Sequence, residues 1–183
     1  GAALKIEKID FVKLRDKDAN NRVLLLTDFF SGGVVANATV SGTTSGMTAQ
    51  LIDVKEGSEA NDPNFLSLFV KYTNSGTNNT TKTFADNEVL TIRNRTGSAY
   101  IVAGNTITSS STGLGTRATV SDGVIYHKGH FVRVGAQSHI VDKYSISPSK
   151  KVGFQTVESI VDSNADSSLL DNASGSSRSE ERF

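Results

Sequence analysis

The stretch GVIYHKGHFVRVGAQSH, Gly123 to His139, holds all three histidines of the chain, His127, His130 and His139. Imidazoles so closely spaced are the first chemistry to weigh, because neutral imidazole is the commonest metal ligand and a usual general base near neutral pH. A zinc site asks for three or four such donors around one ion. Lys128-Gly129 stands between two alternating apolar runs and fits a two-residue hairpin turn, with glycine supplying a positive φ. That register sets His127 opposite His130, Tyr126 opposite Phe131 and Ile125 opposite Val132, and opposed residues share a face. Two histidines then converge at the turn, whereas His139 lies beyond Val134. The expectation is a hairpin with solvated imidazoles and no assigned metal ligand.

Other candidate chemistry is thinner. Asp16-Lys17-Asp18-Ala19-Asn20 and Asp162-Ser163-Asn164-Ala165-Asp166 carry the spacing of oxygens around calcium. An EF-hand loop needs glycine at its sixth position and glutamate at its twelfth. Those places hold Asn21 and Thr27 in the first run, Ser167 and Ala173 in the second. Turns rich in Asp and Asn produce the same spacing. No G-x-S-x-G elbow is present for a serine nucleophile. The loops SGTTSG (41–46) and TGLGT (112–116) lack the lysine of a phosphate loop and the dinucleotide spacing. The chain has no cysteine and no tryptophan, so thiolate chemistry and indole stacking are excluded. No catalytic residue and no cofactor is assigned.

Bulk properties narrow the class further. At 183 residues, with 19 basic and 19 acidic side chains, the chain is neutral overall. It has no global field to draw in nucleic acid or an anionic membrane. No run of apolar residues is long enough to span a bilayer as a helix. Sixteen glycines, two prolines and abundant Ser and Thr mark a turn-rich chain, but its regular apolar runs argue against disorder. Opening on glycine, it is expected to be processed, tagged or an excerpt of something longer.

The elements that must position these residues read as strands. LKIEKIDFVKL (Leu4–Leu14) has apolar residues at 4 and 6, then at 9, 11 and 12. The change of parity points to a β-bulge, with a helix as the alternative. RVLLLTDFF (Arg22–Phe30) is almost continuously apolar and fits a strand buried on both faces. LSLFVKY (Leu66–Tyr72), EVLTI (Glu88–Ile92) and AYIVA (Ala99–Ala103) follow in that style. An internal echo joins Arg22–Leu51 to Leu66–Val120: aligning Gly46 with Gly113 sets Val40 opposite Ile107. Two copies of one small β-unit would need each other, or other chains, to cover their apolar faces. A helical turn around Asp166–Asp171, with Asn164 as cap, is the only helix expected. The fold class expected is therefore mainly β: short antiparallel strands and hairpins in small sandwich- or barrel-like units. The expected division is an N-terminal β-unit (1–60), then a second β-unit with the hairpin and a C-terminal motif region (61–175), and an extended tail or link to missing sequence (176–183).

Three stretches together carry a resemblance. They are LFVKYTNSGTNNTTKTFADNEVLTI (Leu68–Ile92), DGVIYHKGHFVRVGAQSHIVDKYSISPSKKVGF (Asp122–Phe154) and VESIVDSNADSSLLDNASGSS (Val157–Ser177). The specific part is the run Asp142-Lys143-Tyr144-Ser145, Pro148-Ser149, Val152-Gly153. Gly123, Tyr126, Gly129, Phe131 and Val132 match before it, and Glu158, Val161, Ser168, Leu169, Asp171, Asn172, Ala173 and Gly175 after it. The chain resembles, over roughly Leu66 to Gly175, an uncharacterised structural domain of tail and baseplate proteins of tailed bacteriophages, especially myoviruses of cyanobacteria. Past Gly175 that pattern would continue with an Ala-Pro-Gly-Ala-like stretch, whereas this chain reads SSRSEERF.

The resemblance implies a virion protein of a tail fibre or baseplate, a homotrimer packed against other tail proteins and sometimes facing a host-surface receptor. It implies no catalytic residue, no nucleic acid and no membrane span, and it gives neither His127 nor His130 a motif position. Asp142, Lys143, Tyr144, Pro148, Val152, Gly153 and Phe154 become structural-motif residues. Tyr144, Pro148, Val152 and Phe154 are expected to pack as a corner, with Asp142 and Lys143 in a local ion pair or cap. A receptor- or carbohydrate-binding β-module is the alternative.

Overall fold

The computed structural model describes residues 1–15, 37–56, 66–93, 101–159 and 165, with backbone alone at 101–103. Arg22–Phe30, Asp16–Asn20, the Asp166–Asp171 turn and the 176–183 tail lie outside the described residues. The chain divides into two compact units, Gly1–Lys150 and Lys151–Phe183. Residues 151–159 and 165 of the second unit are exposed and carry no strand.

The first unit is all β among its described residues, as the alternating sequence predicts. Its strands are β1 (Leu4–Leu14), β2 (Thr39–Gly42), β3 (Thr48–Lys55), β4 (Leu66–Tyr72), β5 (Val89–Arg93), β6 (Ile101–Asn105), β7 (Thr112–Val120), β8 (Gly123–His127), β9 (His130–Val134) and β10 (Gln137–Asp142). Eight of them form one antiparallel sheet in the order β10-β7-β1-β4-β3-β2-β5-β6, and β8 and β9 form a separate hairpin. Strands expected in the units 1–60 and 61–175 interleave in that sheet. Among the described residues the sequence echo has no counterpart in pairing: β2 and β3 make a hairpin, whereas β6 lies at one edge and β7 sits between β10 and β1.

The sheet curls into a half-barrel, and its far edge returns to β1. A bridge joins Leu14 to Thr106. Arg15 N donates to Asn105 O at 2.8 Å and Ile107 N to Lys13 O at 3.1 Å. Inside the curl, Val12, Leu14, Val40, Leu51, Leu68, Val70, Leu90 and Ile92 form the main core. A second core sits on the opposite side of β1 and β4: Ile9, Phe11, Phe69 and Ile140 are buried together, with Ile52 and Tyr144 packed against them.

This two-sided cover explains the parity change in β1. The strand has no bulge. Its register with β7 runs unbroken from Leu4–Val120 to Val12–Thr112, and with β4 from Asp10–Val70 to Leu14–Leu66. Ile9 and Phe11 serve one core, Val12 and Leu14 the other, while Leu4 and Ile6 at the opposite end stay exposed. The irregularities fall elsewhere, between Leu51 and Asp53 of β3 and between Ile140 and Asp142 of β10.

Two glycines of the TGLGT run permit the packing. A Cβ on Gly113 would stand 2.6 Å from Cζ of Phe11, its cross-strand partner. A Cβ on Gly115 would strike the carbonyls of Asp142 and Lys143, which cross above it. The run is thus a place where other groups lie close over β7.

Leu14→Ala should cost about 2–5 kcal/mol, the usual range for a buried leucine cavity. Leu4→Ala, at the exposed end of the same strand, should change stability by no more than about 0.5 kcal/mol. Denaturant unfolding of the two variants measures the contrast, and equal effects would contradict the two-ended reading of β1.

Candidate functional site

The β8–β9 hairpin has the register read from the sequence: Tyr126 pairs with Phe131, Ile125 with Val132 and His127 with His130. Its turn places both central residues at positive φ, Lys128 at 47° and Gly129 at 88°. That is the pattern of a type I′ turn, whose twist matches the flanking strands. Alternation divides the hairpin into two faces. Val124, Tyr126, Phe131 and Arg133 share one, and all are exposed. Tyr126 is 68% exposed and Phe131 82%, although their rings meet edge to face at 5.4 Å. Ile125, His127, His130, Val132 and Val134 share the other face, where Val134 is buried. Backbone bonds from Ala2 N to Val124 O and from Ser121 N to Ala3 O tie the hairpin base to the N-terminus.

His139 lies on β10, opposite Ala118 of β7. Among the described residues no three His, Cys, Asp or Glu side chains gather as a metal site. The three histidines therefore do not make one joint cluster.

The motif residues separate into two groups. Tyr144 stacks edge to face on Phe11 at 4.9 Å. Its hydroxyl hydrogen-bonds the Ser67 hydroxyl at 2.7 Å, and the Lys13 ammonium lies 4.2 Å from its ring centre. Asp142 caps the turn: its Oδ1 accepts from Tyr144 N at 3.0 Å and Ser145 N at 3.1 Å. Lys143 does not pair with Asp142. Its ammonium donates to the Glu56 carbonyl, and Lys150 approaches Asp142 instead, at 3.8 Å. Pro148 is half-buried. Val152, Gly153 and Phe154 fall in the second unit, where Val152 and Phe154 are exposed. Within the first unit the corner is built on Tyr144. Exposure was hidden in the sequence because an apolar residue type does not reveal whether a partner surface exists.

A buried polar cage escaped sequence reasoning altogether. Glu88 is 1% exposed. Its Oε1 accepts from Thr44 N at 2.7 Å and Ser45 N at 2.6 Å, and its Oε2 from Ala85 N at 2.7 Å. The Ser45 hydroxyl reaches both oxygens. Every contact donates to the group, which suits an acceptor-only carboxylate. A Cβ on Gly42 would collide with this carboxyl, so glycine there makes its room. Next to it, Asp86 accepts from the hydroxyl and amide of Ser111 at 2.6 and 2.9 Å. The Ser111 hydroxyl, then its amide, hold the Asp86 carboxyl below the usual carboxylate range. Nothing in the run Ala85-Asp86-Asn87-Glu88 marks one acid as the anchor of a turn some forty residues away.

One cleft of about 200 Å³ opens where β1 parts from β4. Ile52 and Val70 line it together with Lys8, Asp10, Lys71 and Arg117. It is small beside the roughly 300–1,000 Å³ of typical ligand pockets. Burial raises the Asp10 carboxyl above its ordinary range. Arg117 is engaged by Glu7, whose carboxyl is held low by Lys5 first and by Arg117 second.

Comparison of the chain with family models, with curated proteins and with solved structures returns no match.

Glu88→Gln should destabilise the fold by about 1–3 kcal/mol, because an amide NH2 would face backbone donors and leave buried groups unsatisfied. A chemical denaturation curve reads that loss. For Asp10 the folded pKa is raised, so its contribution is full below the unfolded carboxylate value and is lost as pH rises through the folded one. Asp10→Asn should therefore be more stable than the parent at pH 7, and the gain should vanish below about pH 4, near the ordinary Asp value. Melting temperatures across that range give the test.

Proposed function

We propose that this chain is a virion structural protein, a component of a phage tail fibre or baseplate that works by assembly rather than by chemistry. The observation that carries the reading is the Tyr126–Phe131 pair, two aromatic rings left largely in solvent on a hairpin with a fixed turn. Single exposed apolar residues are ordinary, but a paired aromatic face beside Val124 is the kind of patch that marks an interaction surface. Aromatic side chains are also those enriched at the centres of protein interfaces. The resemblance of Leu66–Gly175 to tail and baseplate domains supplies the setting, a homotrimer joined to other tail proteins in the virion. No helix among the described residues is long and apolar enough to cross a membrane.

The same two rings favour a second reading, a receptor- or carbohydrate-binding module of a phage tail, because aromatic faces also suit the apolar faces of sugars. A glycan array separates the two. Binding that disappears with Tyr126→Ser would favour the second reading.

For the first reading, sedimentation of the purified chain should give a concentration-dependent trimer. Tyr126→Ser with Phe131→Ser should shift it to monomer, while changing stability by no more than about 1 kcal/mol because both rings are exposed. A chain that stays monomeric at high concentration and turns over a host polysaccharide would overturn the proposal.

A further inference from the structure

The tip of the β8–β9 hairpin holds two imidazoles that the assembly reading does not use. His127 and His130 are direct cross-strand partners next to the turn. Such partners hold their Cβ atoms about 4.5–5.5 Å apart on one face. Two imidazoles at that spacing can reach a single ion at a metal–nitrogen distance of about 2.0–2.1 Å. The register is fixed: the turn takes positive φ at both Lys128 and Gly129, and the Tyr126–Phe131 contact pins the neighbouring pair from the other face. A slip by one residue would throw the two histidines onto opposite faces. Among the described residues, neither imidazole is taken up by a hydrogen bond or an ion pair. His127 is half-buried and His130 exposed, so the pair is open to solvent.

We propose that His127 and His130 chelate one divalent transition-metal ion of the copper, nickel and zinc class, with water completing its coordination. Imidazole nitrogen suits these borderline ions, whereas magnesium and calcium require oxygen donors. Two protein ligands make an open site, weaker than the closed three- and four-ligand centres that fold structural zinc domains. What it gains over two unrelated surface histidines is preorganisation, since the strands already set both side chains on one face at a fixed separation.

Isothermal titration of the full chain with Cu²⁺, Ni²⁺ and Mg²⁺ tests this. One equivalent of Cu²⁺ should bind more tightly than Ni²⁺, following the usual divalent order, and Mg²⁺ should give no heat of binding. His127→Ala and His130→Ala should each weaken Ni²⁺ binding at least tenfold, while His139→Ala leaves it unchanged. Amide spectra of the variants report whether the hairpin is intact, and Ni²⁺ should broaden signals around residues 126–131 first in the parent chain. The proposal is overturned if Ni²⁺ fails to bind at millimolar concentration. Binding that survives the double substitution, or that follows His139 instead, would also overturn it.

Discussion

Burial of β1 on both faces is the constraint from which the rest of the first unit follows. A strand in an antiparallel sheet commonly keeps one face in water. Here Val12 and Leu14 enter the curled core while Ile9 and Phe11 enter a second one. Each core needs its own cover. The half-barrel supplies the first by bringing Thr106 back to Leu14. The chain after β10 supplies the second by laying Tyr144 on Phe11. β4 shares the arrangement, with Leu68 and Val70 on one side and Phe69 on the other. The close approach over Gly113 and Gly115 is the steric consequence, since bulk on β7 at those positions would lift Phe11 or the Asp142–Lys143 backbone off the sheet.

Closing the curl also buries backbone at its end, and buried amides must find acceptors. Glu88 takes three of them, at Thr44, Ser45 and Ala85. Thr106 extends the cage by accepting from Glu88 N and donating to Ala85 O. The same residue thus bridges to Leu14 and anchors the acid. Apolar packing inside the curl and polar satisfaction at its rim are joined at one point of the chain.

What the sequence disclosed depended on how local the cause was. The hairpin was legible down to its register, because Lys128-Gly129 and the alternation on either side act over a few residues. The bounds of β1 and β4 were legible as apolar runs. The parity change in β1 was read as a bulge because periodicity reports which positions are buried, not by how many surfaces. Sequence similarity between SGTTSG and TGLGT suggested a repeat, yet Gly46 occupies a turn at φ 68° while Gly113 lies under a phenyl ring. Glu88 was invisible for a related reason: its partners Thr44 and Ser45 are brought to it only by the β2–β5 pairing.

The contrast between scaffold and hairpin bears on what the molecule is for. The eight-stranded sheet buries most of its large side chains, Phe69, Leu14, Leu68, Leu90 and Ile92 among them, although Leu4, Ile6 and Leu114 stay partly exposed. The hairpin, a two-stranded sheet of its own, does the opposite with Tyr126 and Phe131. Fully covering an aromatic or aliphatic side chain is worth about 1.5–3 kcal/mol, and this pair leaves that energy unrealised within the chain. The edge-to-face contact between the rings recovers only part of it, about 0.5–1.5 kcal/mol for such pairs. A surface that would gain from cover, held rigid by a turn of fixed handedness, loses little conformational entropy when a partner arrives. That combination is more useful to a part that must dock than to one that must react, and it is the physical ground on which the assembly reading stands.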